Sequence, residues 1–242
     1  MLLALTPEEL QMGSKTKAHI LTKKYGTAIN HKRIERICNV YGLQAKFRRM
    51  KHPRDYYKQD RSQRNKQNGN ILNRDFRATK AGMKYVTDIS YFKVREGWLF
   101  LSAVKDLYNN EIVSWSMSRN CNADLAIESI KKMSGVKHYL NALLHSDLGS
   151  TYVSQKFLDA VSDQGFVKSF SRSGNCWDNA SMESFFGTVK CETLYFETLK
   201  TKLLSYKEME KKLIYYIEFY NNRRIQKKLG WLSPVEYRQK SA

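Results

Sequence analysis

Three carboxylates occupy unusual settings in this chain. Asp88 lies inside a run of strong strand formers, residues 83–94. Central strands seldom hold an unpaired acid, because burying a charge without a partner is costly. Asp147 stands where another apolar run, residues 141–146, gives out before Gly149. Glu183 sits one turn inside a helical pattern that opens on turn chemistry at Ser173-Gly174-Asn175 and passes Asp178 and Asn179, both good N-cap residues. Brought close, three such groups repel by about 4 kcal/mol per pair at an effective dielectric of about 20. They would tend to hold a proton at neutral pH unless cations were present. All-oxygen ligation selects a hard metal, Mg²⁺ or Mn²⁺. Two such ions about 4 Å apart can activate a water or a 3′-hydroxyl and stabilise a leaving 3′-oxygen in an in-line displacement at phosphorus. Taken singly, each acid reads equally well as a cap or a surface charge.

The elements that must position these groups follow from the pattern. Residues 83–94, 98–104 and 111–117 are apolar runs joined by short turns, which predicts an antiparallel meander. Asn122 is placed to cap a helix that ends near Gly135, and Ser154 to cap one that ends before Gly165. Between and after them, residues 141–146 and 167–171 give a fourth and a fifth strand. Strands followed by alternating helix and strand imply an α/β fold, a mixed five-stranded sheet flanked by helices. If the first and fourth strands are neighbours, Asp88 and Asp147 come together, and the helix carrying Glu183 can lie over them. Lys190, two turns beyond Glu183, shares its helix face, whereas Glu192 points the opposite way.

The front of the chain has another character. Of the 242 residues, 42 are Lys or Arg and 23 Asp or Glu, a net charge of +19 that suggests a polyanion partner, most simply nucleic acid. The excess is concentrated in residues 1–80. There, residues 15–25 read as a basic helix ending at Gly26. Asn30 caps a second helix with Ile34, Ile37 and Tyr41 on its apolar side and Lys32, Arg33 and Arg36 on the other. The pair fits a helix-turn-helix or a plain helical hairpin with a solvated basic face. Residues 46–66 lack apolar periodicity and read as a basic linker that lies along phosphates. At the other end, Ser205 with Glu208 and Ser233 with Glu236 form two capping boxes around helical patterns. The basic stretch between those helices, with Arg223 and Arg224, reads as a DNA contact or a solvated loop. The four cysteines suggest neither a disulfide framework nor a zinc site. The opening apolar run is too short for a signal peptide, and no stretch reaches membrane-spanning length, so a cytoplasmic, nucleoid-associated protein is expected. The expected divisions are a leader at 1–14, a helix-turn-helix-like segment at 15–50, a basic linker at 51–80, a catalytic core at 81–198 and a helical extension at 199–242.

The segments TDISYF (87–92), HSDLGSTY (145–152) and GNCWDNASMESFFGTVKCE (174–192) resemble the three signatures of an insertion-sequence transposase with a retroviral-integrase-type core. Thirty-five residues separate Asp147 from Glu183, the spacing of the Asp-Asp-35-Glu class, and Lys190 matches that class's basic residue. The tail FYNNRRIQKKLGWLSPVEYR (219–238) resembles that of the OrfB product in the insertion-sequence-three family, and NHKRIERICNVYGL (30–43) its helix-turn-helix segment. The resemblance implies an RNase H-like fold, with Asp88, Asp147 and Glu183 as ligands of two Mg²⁺ ions and as the catalytic residues. It implies that Lys190 and Asn179 contact the DNA end. The expected activity is strand cleavage at the element ends followed by 3′-hydroxyl strand transfer, without a covalent protein–DNA intermediate. Expected partners are double-stranded DNA (terminal inverted repeats and target), an OrfA-type product joined by frameshift fusion, and further copies of the chain on DNA. Four positions depart from the family pattern: Tyr85 for its usual Trp, Ser90 for Thr, Leu148 for Gln and Gln226 for His. Two other functions compete: a truncated DNA-binding copy that inhibits transposition, and an RNase H-type nuclease acting on RNA–DNA hybrids.

Overall fold

Alternation decides the sheet. In the second half of β1 (Lys84–Val94) Ser90, Phe92 and Val94 are buried while Tyr91 and Lys93 are exposed, the period-two pattern of a strand with one covered face. The computed structural model describes residues 1–45, 69–172, 175–194 and 203–240. The linker expected at residues 46–66 and the turn at Ser173-Gly174 therefore lie outside the described residues.

β1 turns through Gly97 (φ +124°, which suits a residue without a side chain) into β2 (Gly97–Asp106), and β2 into β3 (Ile112–Ser118). Both pairings are antiparallel, as the meander predicts. β4 (Leu143–Ser146) joins the other edge of β1 in parallel, and β5 (Val167–Phe170) joins β4 in parallel, giving the order β3-β2-β1-β4-β5. The expected mixed five-stranded sheet is thus present. Its strands end within three residues of the sequence-based bounds.

Helix α4 (Ala123–Lys131), capped by Asn122, packs on β2 and β3, and α5 (Gln155–Asp163) packs beside it and against β5. Small hydroxyl residues line the α4 contact. Ser102 Oγ lies 2.9 Å from Ser129 Oγ, and Ser116 Oγ donates to Leu125 O at 2.6 Å. Serine lets the helix approach closely and satisfies its own hydroxyl on the helix backbone. Tyr85, Ile130, Leu144, Phe157 and Phe166 fill the apolar core on this side. Burying five such side chains contributes roughly 1.5–3 kcal/mol each before entropy is counted.

The described residues divide into two compact units. The sheet, α4 and α5 belong to one, formed from Lys51–Phe186 and Leu204–Lys211. The other draws on Met1–Met50, Gly187–Leu203 and Lys212–Ala242. Helices α6 (Ala180–Leu194) and α7 (Tyr206–Asn222) contribute residues to both.

In the second unit α1 (Pro7–Leu10) opens with a capping box between Thr6 and Glu9. α2 (Ser14–Tyr25) ends at Gly26 and α3 (His31–Val40) is capped by Asn30, both as expected. The apolar side of α3 differs from expectation. Ile34 is joined by Cys38, one turn on, while Tyr41 follows the helix and is 71% exposed. Lys17 is 1% exposed, and its Nζ donates to Leu43 O at 2.8 Å, which anchors the chain leaving α3. Lys32, Arg33 and Arg36 all remain exposed. The Ser205–Glu208 and Ser233–Glu236 boxes form at the starts of α7 and α8 (Pro234–Lys240). Among the described residues, no helix is long and apolar enough to cross a membrane.

Candidate active site

The β1/β4 register points the first two acids toward one end of the sheet. Tyr85 pairs with Leu144 and Val86 with His145, and Asp88 and Asp147 each lie two residues beyond that last pair. Both side chains are half-buried. Asp88 Oδ1 accepts from the Ile89 N–H at 2.8 Å, and Asp147 Oδ1 from the Gly149 N–H at 2.9 Å. Gly149 has a steric reason to be glycine: a Cβ there would lie 2.9 Å from Asp147 Oδ1. Burial pushes the Asp147 carboxyl above its ordinary range, opposed by the Gly149 N–H. Burial also raises the Tyr152 hydroxyl well above its usual value, and the carboxylates of Asp88 and then Asp147 raise it further. The Cys121 thiol is raised by burial and then by the same two acids. Both charges therefore bear on one small neighbourhood.

The start of α6 is fastened to β1 and β2. Asn179 Nδ2 donates to Thr87 O, next to Asp88, at 3.3 Å. Lys105 Nζ donates to Ser181 O at 3.2 Å. Lys105 lies opposite Val86 on β2, and Ala103 opposite Asp88, so the alternation of the strand puts Lys105 on the Asp88 side of the sheet. Glu183, half-buried, follows two residues after Ser181 on the same helix. Lys190 follows two turns later.

The α6 N-terminus differs from the sequence expectation. A 3-10 turn, Cys176–Asn179, precedes the helix, and Asp178 is not spent on capping. Its side chain is fully buried and accepts from Arg172 (backbone N, Nε and a guanidinium NH2), from Arg74 Nε at 2.7 Å and from Asn70 Nδ2 at 2.8 Å. The Arg172 side chain, against the penalty of burial and with help from its backbone N–H and from Arg74, holds this carboxyl well below the usual carboxylate range. Asn179 is 5% exposed, and its Oδ1 has no partner. Arg223 is exposed, with its guanidinium over the Phe219 ring, whereas Arg224 makes a bidentate pair with the buried Glu192, which also accepts from Tyr216 OH at 2.7 Å.

Sequence reasoning passed over Lys105 and the Asp178 cluster. A lysine within the apolar run of β2 was a readable signal for the first. The second unites residues about a hundred positions apart, for which a single sequence holds no signal.

The residues present fit a hard cation in their donor chemistry. The acids offer only oxygen, and the buried Asn179 Oδ1, on the helix start tied to Thr87, has no hydrogen-bond partner. Among the described residues no three His, Cys, Asp or Glu side chains are gathered closely enough to hold a metal ion. Mutual repulsion of carboxylates opposes such gathering when no cation offsets it.

A mixed five-stranded sheet in this order, flanked by helices, is an RNase H-like fold. Solved structures agree on the fold. The magnesium-bound HTLV-2 integrase catalytic core, in its dimeric form, superposes with a TM-score of 0.52 at 14% identity, over 66% of this chain and 98% of that one. A chain of the simian T-cell lymphotropic virus intasome gives 0.53 at 15% identity, over 66% of this chain and 57% of that one. Residues 78–176 and 183–241 each match a family described as Integrase core domain. InsK of insertion sequence element IS150 from Escherichia coli K12 is 37% identical over 220 residues, 89% of this chain and 74% of its own length. The transposase of insertion sequence element IS904 from Lactococcus lactis is 32% identical, over 88% and 81%. A transposase-like protein of Haemophilus influenzae is 38% identical, over 88% and 94%. The chain belongs to the insertion-sequence transposases of the insertion-sequence-three family, a class of integrase-type nuclease-transferases.

Proposed function

We propose that this chain is a transposase subunit that cleaves one DNA strand at the ends of its insertion sequence and joins the freed 3′-hydroxyl to target DNA. The observation that carries the proposal is the β1/β4 register, in which Asp88 and Asp147 each lie two residues beyond the Val86–His145 pair. The start of α6 is fastened to the same strand through Asn179 and Thr87 O, so that Glu183 follows on a helix already attached to the site. Asp88, Asp147 and Glu183 would hold divalent cations, two Mg²⁺ or Mn²⁺ in their place, which would supply Lewis acidity for phosphodiester chemistry. The chain's own contributions are positional. Gly149 leaves space for the Asp147 carboxylate and orients it through its N–H. Lys105 and Asn179 fix the start of α6. Lys190 contacts the DNA end, the buried Asn179 supports that contact from behind through Thr87 O, and Lys32, Arg33, Arg36 and Arg223 bind phosphates. Arg224, already paired with Glu192, acts through the position of its neighbours. The chain works as an oligomer on paired terminal inverted repeats, together with an OrfA-type product.

The test is strand cleavage of a labelled duplex taken from the DNA flanking this gene, in Mg²⁺, Mn²⁺ or EDTA, with Glu183→Gln alongside. Metal-dependent nicking at one position near a repeat is expected, abolished in Glu183→Gln while duplex binding stays within a few fold. Wild-type cleavage by Glu183→Gln would remove Glu183 from the site. Tight binding without nicking, even with the upstream product added, would replace this reading with that of an inhibitory DNA-binding copy.

A further inference from the structure

Trp177 is 63% exposed, yet its neighbours on the C-terminal side are among the most firmly held residues of the fold. Asp178, fully buried, accepts hydrogen bonds from Arg172, Arg74 and Asn70. Asn179, 5% exposed, is tied to β1 through Thr87 O. A lone exposed aromatic is unremarkable on a protein surface. An indole raised on a buried, ion-paired turn is different, because the order needed to present it has already been imposed by the fold.

Two further observations say what it meets. Arg172 and Arg74 leave their side chains 46% and 45% exposed while bonding Asp178, the residue after Trp177, so two guanidiniums and one carboxylate leave the turn that carries the indole net positive. Asn179 Oδ1 is buried and unpartnered on the side of the turn that reaches Thr87, the residue before Asp88. An aromatic face, a net positive turn and an unmet polar atom beside proposed metal ligands match a nucleotide: the base stacks, the phosphates meet the arginines, and the strand continues to the acids.

We propose that Trp177 is a stacking platform for an unpaired base at the end of the bound DNA, so that the chain prefers a frayed duplex end to a paired one. The proposal rests on the transposase reading but is tested without catalysis. Base–aromatic stacking removed by alanine substitution corresponds to roughly five- to a hundred-fold in affinity.

The probes are two fluorescent duplexes of the same sequence, one blunt and one with two unpaired nucleotides at the 3′ end, titrated with the full chain by anisotropy in EDTA. Wild-type protein is expected to bind the frayed duplex about ten-fold more tightly than the blunt one. Trp177→Ala should bind both with the wild-type affinity for the blunt duplex, and Trp177→Phe should retain most of the preference. The proposal is overturned if the wild type shows no preference, or if Trp177→Ala keeps it. A variant that weakens both duplexes equally overturns it too, because that is the mark of a role in folding or in phosphate binding. Because the readout is binding, a chain that never nicks DNA would sink the proposed function while leaving this result standing.

Discussion

At the scale of single residues, Asp147 is shaped by a neighbour whose type gives no sign of it. Asp88 stood out because strand formers surround it, and Asp147 because it ends an apolar run before a glycine. The neighbour that shapes Asp147 could not be seen. Gly149 reads as an ordinary turn residue until a Cβ is built 2.9 Å from the Asp147 carboxylate. Gly149→Ala is therefore expected to lower the nicking rate by about ten- to a hundred-fold through a misplaced carboxylate, with little change in thermal midpoint. Rates and melting curves measured together check it, and an unchanged rate would show that the carboxylate relocates freely. Asp178 misled the reading because a short acid before a helix is the usual sign of a cap; Arg172, six residues back, and Arg74, about a hundred back, claim it instead. Its folded pKa lies below the unfolded value, so the stability it contributes is complete above the ordinary carboxylate range and is lost as pH falls below about 4. Asp178→Ala should cost about 2 kcal/mol at neutral pH, allowing for the screening of half-exposed arginines, and should flatten the acid limb of a stability–pH curve.

At the scale of elements, local signals were enough for most of the chain. Strand alternation, Asn30, Asn122 and the two serine capping boxes each marked a boundary that the structure keeps. The Thr6–Glu9 box carried the same sequence mark and was overlooked inside the unassigned leader. On α3, spacing favoured Tyr41, but the helix has ended by then, and Cys38 takes the buried position. The Arg223-Arg224 pair shows how adjacent charges part company. Arg224→Ala leaves Glu192 buried without its cation and should destabilise the protein by about 3 kcal/mol, whereas Arg223→Ala should leave stability nearly unchanged and weaken DNA binding. Denaturant melts and duplex titrations of the two variants check this. Equal destabilisation by both would mean that the Glu192 pair contributes little.

At the scale of the whole molecule, the charge excess of the front third is a statement about salt. Lys32, Arg33 and Arg36 are exposed along one helix. Changing all three to Gln should lower the slope of log K against log salt by about 2–3 for duplex DNA, with the fold intact by circular dichroism. An unchanged slope would take α3 out of the DNA interface. The units of the fold were less readable than its elements, because the segments of one unit are scattered through the chain, and pattern reasoning proceeds along it.

That scattering has a consequence for synthesis. Helices α1, α2 and α3 share a unit with residues 212–242, which are made long after them. His19, in α2, stacks on Trp231 at 4.7 Å, and Lys23 lies 3.9 Å from Glu236. At about 5–20 residues per second, a ribosome needs roughly ten to forty seconds between those two ends of the chain. During that interval the basic front helices exist without the partners that complete their packing, while the sheet and its acids are already emerging. A product stopped within that interval would hold the sheet but only part of the second unit.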